Sequence, residues 1–146
     1  MPSYEVMVLG HVSKDINITP EDTEHSIGGA VVYSSIAIYR QGARVLALTK
    51  LHPDDFPALE IFGRFGTPVL HRPSSRTTSI RNTYLTADRE QRRCEALSMA
   101  APFDETDLPD DTEASIYYLG GLIRGEFPEA FIEAMSKRGP LAVDVQ

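Results

Sequence analysis

YEVMVLG, residues 4–10, is a mainly apolar run closed by a glycine, which is typical of a strand buried on both faces of a parallel sheet. AVVYSSIAIYRQG, residues 30–42, carries apolar residues at helical spacing and ends near Gly42, which favours the turn beyond a helix. RVLALT, residues 44–49, is a second short apolar run. Strand, helix and strand in this order predict a right-handed parallel crossover, and therefore an α/β fold.

The rest of the chain continues this alternation. Phe127, Phe131 and Met135 lie at four-residue spacing and predict the clearest helix of the chain. A shorter helix is expected earlier, capped by Asp54 or Asp55. The predicted strands cover residues 67–70, 115–119 and 141–145, and the two predicted helices cover residues 54–62 and 125–139.

Residues 76–97 have a different character. TTSIRNTYLT is rich in β-branched residues, TADRE is typical of a turn, and QRRCEAL alternates weakly between polar and apolar side chains. This pattern predicts a two-stranded hairpin. Because both faces of the hairpin mix polar and apolar groups, it is expected to form a flap outside the main sheet, with an ordinary edge hairpin as the alternative.

The composition fits one ordinary domain. At 146 residues and 16.2 kDa, with 42% hydrophobic and 24% charged residues, the chain can fill one core. Its 14 basic and 21 acidic residues give a net charge of -7, the wrong sign for holding nucleic acid. No apolar run approaches the roughly 18 residues of a membrane span. Cys94 is the only cysteine, which excludes an intramolecular disulfide and favours a cytoplasmic setting.

Two positions are candidates for ligand contact. Asp15 follows the first strand, and ligands of open α/β sheets bind at the carboxyl ends of the strands. A carboxylate there can accept hydrogen bonds from two hydroxyl groups of a sugar or polyol, although an Asp soon after a strand is also typical of a loop. Gly28 and Gly29 precede the first helix, where residues without a side chain let a ligand approach the backbone; a plain turn is the alternative.

Other chemistry is not indicated. The sequence has no GxxxxGK[ST] or GxGxxG phosphate loop and no GxSxG nucleophile motif. Its 4 histidines lack the spacing of a metal site and are expected to be surface or loop residues. The acidic segment at residues 104–114 is expected to be a solvated connection. No metal site is therefore predicted.

Three features together resemble the N-terminal part of PfkB/ribokinase-family carbohydrate kinases. They are the loop from Gly10 to Asp15, the Gly28-Gly29 pair before a helix that ends in Gln41-Gly42-Ala43, and the TTSIRNTYLTADREQR hairpin. The resemblance spans nearly the whole chain. It implies a ribokinase-like fold: a Rossmann-type, mainly parallel sheet with helices on both faces plus a small β-sheet lid. Residues 1–146 are then the N-terminal part of one incomplete domain.

The resemblance also implies site residues. In that family an Asp five residues after the first strand's glycine binds the sugar, and that position is Asp15. Ser13 stands where ribokinases commonly carry an Asn. Gly28 and Gly29 match the glycine pair that lines the sugar site near the lid hinge. The lid would comprise residues of about 16–27 together with about 76–97.

The chain departs from the family pattern at several points. Ribokinases carry an Asn at the position of Tyr33, so Tyr33 is expected to alter the choice of substrate. Gly120-Gly121 stand where ribokinases place a Glu that touches the sugar. The GAGD-type loop with its anion hole and catalytic Asp has no counterpart before residue 146. ATP and Mg2+ are implied by the family, but their binding residues are not in this chain.

The leading interpretation is the substrate-binding and lid portion of an ATP-dependent kinase that phosphorylates a hydroxyl of a sugar, polyol or nucleoside. The chain alone is expected to be inactive, since no catalytic residue is assigned within it. One alternative is a non-catalytic binding or oligomerisation module, because lid sheets in this family can join two copies into a homodimer. Another is an unrelated small enzyme acting through Cys94.

Overall fold

The strands and helices follow one another much as the apolar pattern predicts. The computed structural model describes residues 2–145, and residues 1 and 146 lie outside the described residues. The strands are β1 (Tyr4–Leu9), β2 (Ser13–Ile18), β3 (Thr23–Gly28), β4 (Val45–Leu51), β5 (Val69–Pro73), β6 (Thr78–Tyr84), β7 (Arg92–Ser98), β8 (Ala114–Leu119) and β9 (Leu141–Val143). The α-helices are α1 (Ala30–Arg40), α2 (Glu60–Arg64) and α3 (Glu129–Arg138).

β1 is the central strand of a five-stranded parallel sheet, the main sheet, whose order is β5-β4-β1-β8-β9. Alternate side chains of β1 enter two separate cores. Met7 and Leu9 pack in the core covered by α3, whereas Val8 packs in the core covered by α1 and α2. Both faces of the main sheet are therefore covered by helices, which confirms the α/β prediction and explains why β1 reads as an apolar run.

Several predicted boundaries were wrong. The predicted strand at residues 67–70 lies two residues later, as β5, and β9 is shorter than predicted. Residues 53–59 form a 3-10 segment that contains Pro57, and only α2 beyond it is α-helical. The cap is His52 rather than Asp54 or Asp55, because His52 Nδ1 accepts a hydrogen bond of 3.1 Å from the Asp54 backbone N–H. A proline inside the segment disfavours regular α-helical hydrogen bonding there.

The predicted hairpin is confirmed as β6 and β7, and it does not extend the main sheet. It belongs to a four-stranded sheet of order β3-β2-β6-β7, here called the second sheet. Each hairpin of the second sheet is antiparallel, and the two hairpins are joined by the parallel pairing of β2 with β6. The edge-hairpin alternative is therefore wrong. A mainly parallel sheet with helices on both faces and a separate small sheet is the fold class expected from the sequence.

No helix among residues 2–145 has the length and apolar character needed to cross a membrane.

Candidate functional site

A cleft of about 320 Å³ opens between the second sheet and the ends of main-sheet strands. The second sheet supplies one wall, the beginning of α1 a second, and the segments after β8 and β9 the remainder. The residues that line the cleft are Ser13, Asp15, Gly29, Ala30, Tyr33, Ser34, Ile80, Asn82, Arg92, Cys94, Leu122 and Asp144. The cleft therefore lies where open α/β sheets bind ligands, outside the carboxyl ends of the parallel strands.

Asp15 is a carboxylate that lines this cleft. Ser13 Oγ donates a hydrogen bond of 2.6 Å to Asp15 Oδ1. On the facing strand, a Cβ at residue 28 would collide with Asp15 Oδ2, so any side chain at Gly28 would force the carboxylate to shift. Burial raises the pKa of Asp15, and the hydrogen bond from Ser13 opposes part of that rise. The result is a half-buried carboxylate whose desolvation makes new hydrogen-bond donors favourable partners.

The structure brings four of the five residues predicted for the site to the cleft wall. Ser13, Asp15, Gly29 and Tyr33 line it, and Gly28 lies directly behind Asp15. Gly29 turns the chain from β3 into α1 with a φ of 107°, a conformation that residues with a side chain rarely adopt. Tyr33 lies at the rim with 64% of its surface exposed. These placements are geometric, and the roles of the residues remain proposals.

Comparison with known proteins gives matches among solved structures only. No protein-family model matches the chain, and no curated protein does. A sulfate complex of a pyrophosphate-dependent kinase in the ribokinase family is 33% identical with a TM-score of 0.86, over 95% of this chain and 49% of that one. A complex of a pyrophosphate-dependent kinase in the ribokinase family with a pyrophosphate analog and myo-inositol is 32% identical with a TM-score of 0.85, over 95% and 48% of the two chains.

The fold is that of the ribokinase family. A fructokinase from Halothermothrix orenii, 16% identical, shares this fold with a TM-score of 0.68 over 96% of this chain and 56% of its own. The resemblance inferred from the sequence is thereby confirmed. The chain spans about half the length of the solved structures that it matches.

The sequence predicted that residues 76–97 belong to the lid, but it singled out no cleft residue within β6 and β7 of this ribokinase-family fold. Asn82 and Cys94 are direct cross-strand partners and both line the cleft. Asn82 Nδ2 donates to Asn17 Oδ1 at 3.1 Å, and Asn17 Nδ2 donates to Ser26 Oγ at the same distance. A row of amide and hydroxyl groups therefore crosses this face of the second sheet. Side chains two residues apart on a strand point to the same face, so Asn82 shares a face with Ile80, and Cys94 shares one with Arg92. This alternation was visible in the sequence.

Two expectations about polar residues were wrong in part. His11 lies in the loop between β1 and β2 as expected, but it is not at the surface, since its side chain is completely buried. Burial lowers the pKa of His11 to about 4, so its imidazole is neutral at pH 7. The acidic segment is not fully solvated either, because Asp107 is buried and accepts a hydrogen bond of 2.8 Å from Lys50 Nζ.

Metal ligation is not offered by the residues that the structure describes. Within residues 2–145 no group of three or more His, Cys, Asp or Glu side chains is arranged to hold a metal ion. The family resemblance implies a magnesium-bound phosphoryl donor, and none of the described residues is assigned to hold it.

Proposed function

We propose that this chain is the acceptor-binding and lid portion of a ribokinase-family kinase that transfers a phosphoryl group to a hydroxyl of a polyol. The observation that carries the proposal is the half-buried Asp15 carboxylate, hydrogen-bonded to Ser13 and facing a cleft beneath the second sheet. The similarity to a pyrophosphate-dependent kinase structure that contains myo-inositol favours a polyol with several neighbouring hydroxyl groups.

Asp15 can orient such an acceptor without taking part in bond making. A carboxylate has about four lone-pair positions, and Ser13 occupies one of them on Oδ1. The remaining positions can accept hydrogen bonds from two hydroxyl groups on adjacent carbons, and charge-assisted bonds of this kind are the stronger ones. Gly29 lines the cleft at the start of α1, so a ring bound there can lie close to the backbone.

The second sheet serves as the lid in this proposal. Its row of Asn17, Ser26 and Asn82 side chains offers both donors and acceptors to ring hydroxyls. Closing it over the cleft excludes water, which otherwise competes with the acceptor for the phosphoryl group. Phosphoryl transfer further needs a donor and acceptor held in line and a base for the hydroxyl proton. We assign neither the donor site nor the base to a residue of this chain.

The phosphoryl donor has two candidates. The family resemblance implies ATP with Mg2+, whereas the similar structures at 33% and 32% identity are described as pyrophosphate-dependent. Both donors present a terminal phosphoryl group, so the acceptor geometry described here is compatible with either. Binding measurements on the chain should therefore include both donors.

Thermal unfolding of the chain with added polyols tests the acceptor site. A ligand that binds only the folded state raises its stability by about 2.7 kcal/mol at 100 times its Kd. We expect myo-inositol or a related cyclitol to raise the Tm, and pentoses, hexoses and nucleosides to define the selectivity. The rise should disappear in Asp15→Asn, which removes the negative charge at nearly unchanged volume.

Glu21→Gln is the matched control, because Glu21 is an exposed carboxylate in the turn between β2 and β3. It should retain the full polyol-dependent rise. Absence of any rise in the unsubstituted chain, with every compound tested, would contradict the proposal. A defined oligomer without polyol binding would favour the binding or oligomerisation module instead.

A further inference from the structure

The chain crosses between the main sheet and the second sheet at four places. The crossings lead from β1 to β2, from β3 to α1, from β5 to β6, and from β7 toward β8. The side chain and backbone of one residue, His11, touch all of them. His11 itself forms part of the first crossing, because it lies between Leu9 and Ser13.

Hydrogen bonds of the imidazole reach the third and fourth crossings. His11 Nε2 lies 2.9 Å from the Ala101 carbonyl oxygen, which can only accept, so Nε2 carries the proton. Nδ1 of the neutral ring is then an acceptor, and Thr78 Oγ1 donates to it at 3.0 Å. Thr78 Oγ1 in turn accepts a hydrogen bond of 3.0 Å from the Ala100 backbone N–H. The donor and the acceptor of each of these three hydrogen bonds are therefore fixed.

The second crossing packs against the His11 backbone. A Cβ at Gly29 would lie 2.5 Å from the His11 carbonyl oxygen, so the two backbone segments are in close contact. The far face of the imidazole is covered by Phe103, whose ring is stacked on it with centroids 5.0 Å apart. His11 is thus enclosed by all four crossings and by the core of the main sheet.

Glu126 connects His11 to the cleft. Its buried carboxylate accepts a hydrogen bond of 2.6 Å from the His11 backbone N–H and one of 2.7 Å from the Leu122 backbone N–H. Leu122 lines the cleft beside Asp144. One carboxylate therefore ties the first crossing to the cleft wall that follows β8.

We propose that His11 is a positioning residue: its imidazole, with Thr78, Ala101 and Glu126, fixes the orientation of the second sheet over the cleft. That this orientation matters for acceptor binding rests on the function proposed above, whereas the role of His11 in holding the second sheet in place does not. Breaking the hydrogen bond between His11 and Thr78 should loosen the four strands of the second sheet together and leave the main sheet unchanged. A residue that only fills the core would, on removal, weaken both sheets.

The test compares Thr78→Val with Thr78→Ser by amide hydrogen exchange resolved along the chain. Valine keeps the volume of threonine but cannot donate to His11 or accept from Ala100, whereas serine can do both. We expect exchange in β2, β3, β6 and β7 to quicken by at least about tenfold in Thr78→Val, because two buried hydrogen bonds are lost locally, and to stay near the unsubstituted rate in Thr78→Ser. Exchange in β1 and β4 should be the same in all three proteins.

A uniform increase in both sheets, or no increase in either, would overturn the proposal. If Thr78→Val does not fold, His11→Asn serves instead, because the shorter side chain loses the other hydrogen bond of the imidazole, the one to the Ala101 carbonyl oxygen, and this loss should also quicken exchange in the second sheet selectively. The polyol-dependent rise in Tm is measured on the same proteins and should be weaker in Thr78→Val and restored in Thr78→Ser. A selective exchange effect without polyol binding in the unsubstituted chain would count against the proposed function alone.

Discussion

His11 and Glu126 are buried ionisable groups whose pKa values move in opposite directions. Desolvation lowers the pKa of His11 to about 4 and raises the pKa of Glu126. For His11 the unfolded chain binds the proton more tightly than the folded one, so stability is lost as the pH falls from 6.5 toward about 4. For Glu126 the folded chain binds the proton more tightly, so its contribution to stability increases as the pH falls.

The contribution of His11 can be isolated with His11→Asn. The unsubstituted chain should be the more stable at pH 7, and its advantage should shrink by about 3 kcal/mol between pH 6.5 and pH 4, because only His11 has to be protonated. Urea unfolding of both proteins across this range measures the difference in unfolding free energy. Glu126 is present in both proteins, so its own pH dependence cancels in that difference. An advantage that is constant with pH would contradict the burial of a neutral imidazole.

Asp15 is expected to bind ligand at a cost in stability. Its raised pKa means that the ionised form is disfavoured in the folded state, so ionisation above the ordinary value of 3.8 lowers stability. Asp15→Asn should therefore raise the urea midpoint at pH 7, since the amide oxygen can still accept the hydrogen bond from Ser13 and no charge is desolvated. The same substitution should abolish the polyol-dependent rise in Tm. A midpoint below that of the unsubstituted chain would show that the charge is stabilising. Glu21→Gln should leave the midpoint unchanged.

Some residues of the cleft were predictable from local sequence, and others were not. Asp15 and Gly28-Gly29 were placed by their position next to a predicted strand and helix, and Asn82 could have been placed by strand alternation. His11 and Glu126 are 115 residues apart and meet only in the folded chain. Neither has a local pattern, and a lone histidine in a loop is ordinarily exposed, so no periodicity or motif could have joined them.

The crossing from β3 into α1 depends on Gly29. Alanine there would adopt a φ near 107° and place its Cβ against the His11 carbonyl oxygen. We expect Gly29→Ala to cost at least about 1 to 2 kcal/mol in unfolding free energy, the ordinary penalty for a left-handed residue, with the close contact adding to it.

Gly63→Ala is the matched control, because Gly63 lies within α2 and a Cβ there would meet nothing within 4 Å. The same change should stabilise the chain by about 0.5 to 1 kcal/mol, since alanine favours the helix. Urea unfolding of both variants measures the two effects. Equal effects would show that the turn at Gly29 is not strained for alanine.

Elements with a single strong pattern were predicted well. β1 is a mainly apolar run, α1 and α3 have apolar residues at helical spacing, and the hairpin has a clear turn after the β-branched segment of β6. The region of residues 53–73 was predicted less well, since Pro57 interrupts helical hydrogen bonding and β5 is positioned by its pairing with β4 rather than by its own sequence. Pairing across the chain is tertiary information, and local propensity does not contain it.

At the scale of the whole molecule, we predict no phosphoryl transfer by this chain alone. Its sequence has neither a GxxxxGK[ST] loop nor a GAGD-type loop to hold the transferred phosphate. Incubation with myo-inositol and either pyrophosphate or ATP, each with Mg2+, should give no phosphorylated product by phosphorus NMR. Turnover that is lost in Asp15→Asn would contradict this prediction.

A homodimer formed through the second sheet also stays a prediction at this scale. Its edge strands are β3 and β7, which pair on one side only among the described residues. Such edges can accept a strand from another copy. Light scattering of the isolated chain gives the molar mass directly, and a value matching 16.2 kDa at every concentration would exclude the dimer.

The parallel pairing of β2 with β6 constrains the order in which the chain folds. Each hairpin of the second sheet closes locally, an event of about 1 to 10 µs. Their junction, by contrast, joins Asn17 to Asn82 across 65 residues, and β4, α2 and β5 all lie in the intervening chain. Contacts between distant residues form slowly because the loop must close first. We therefore expect the two hairpins to form early and to unite once β4 and β5, which lie between them in the chain, have docked beside β1.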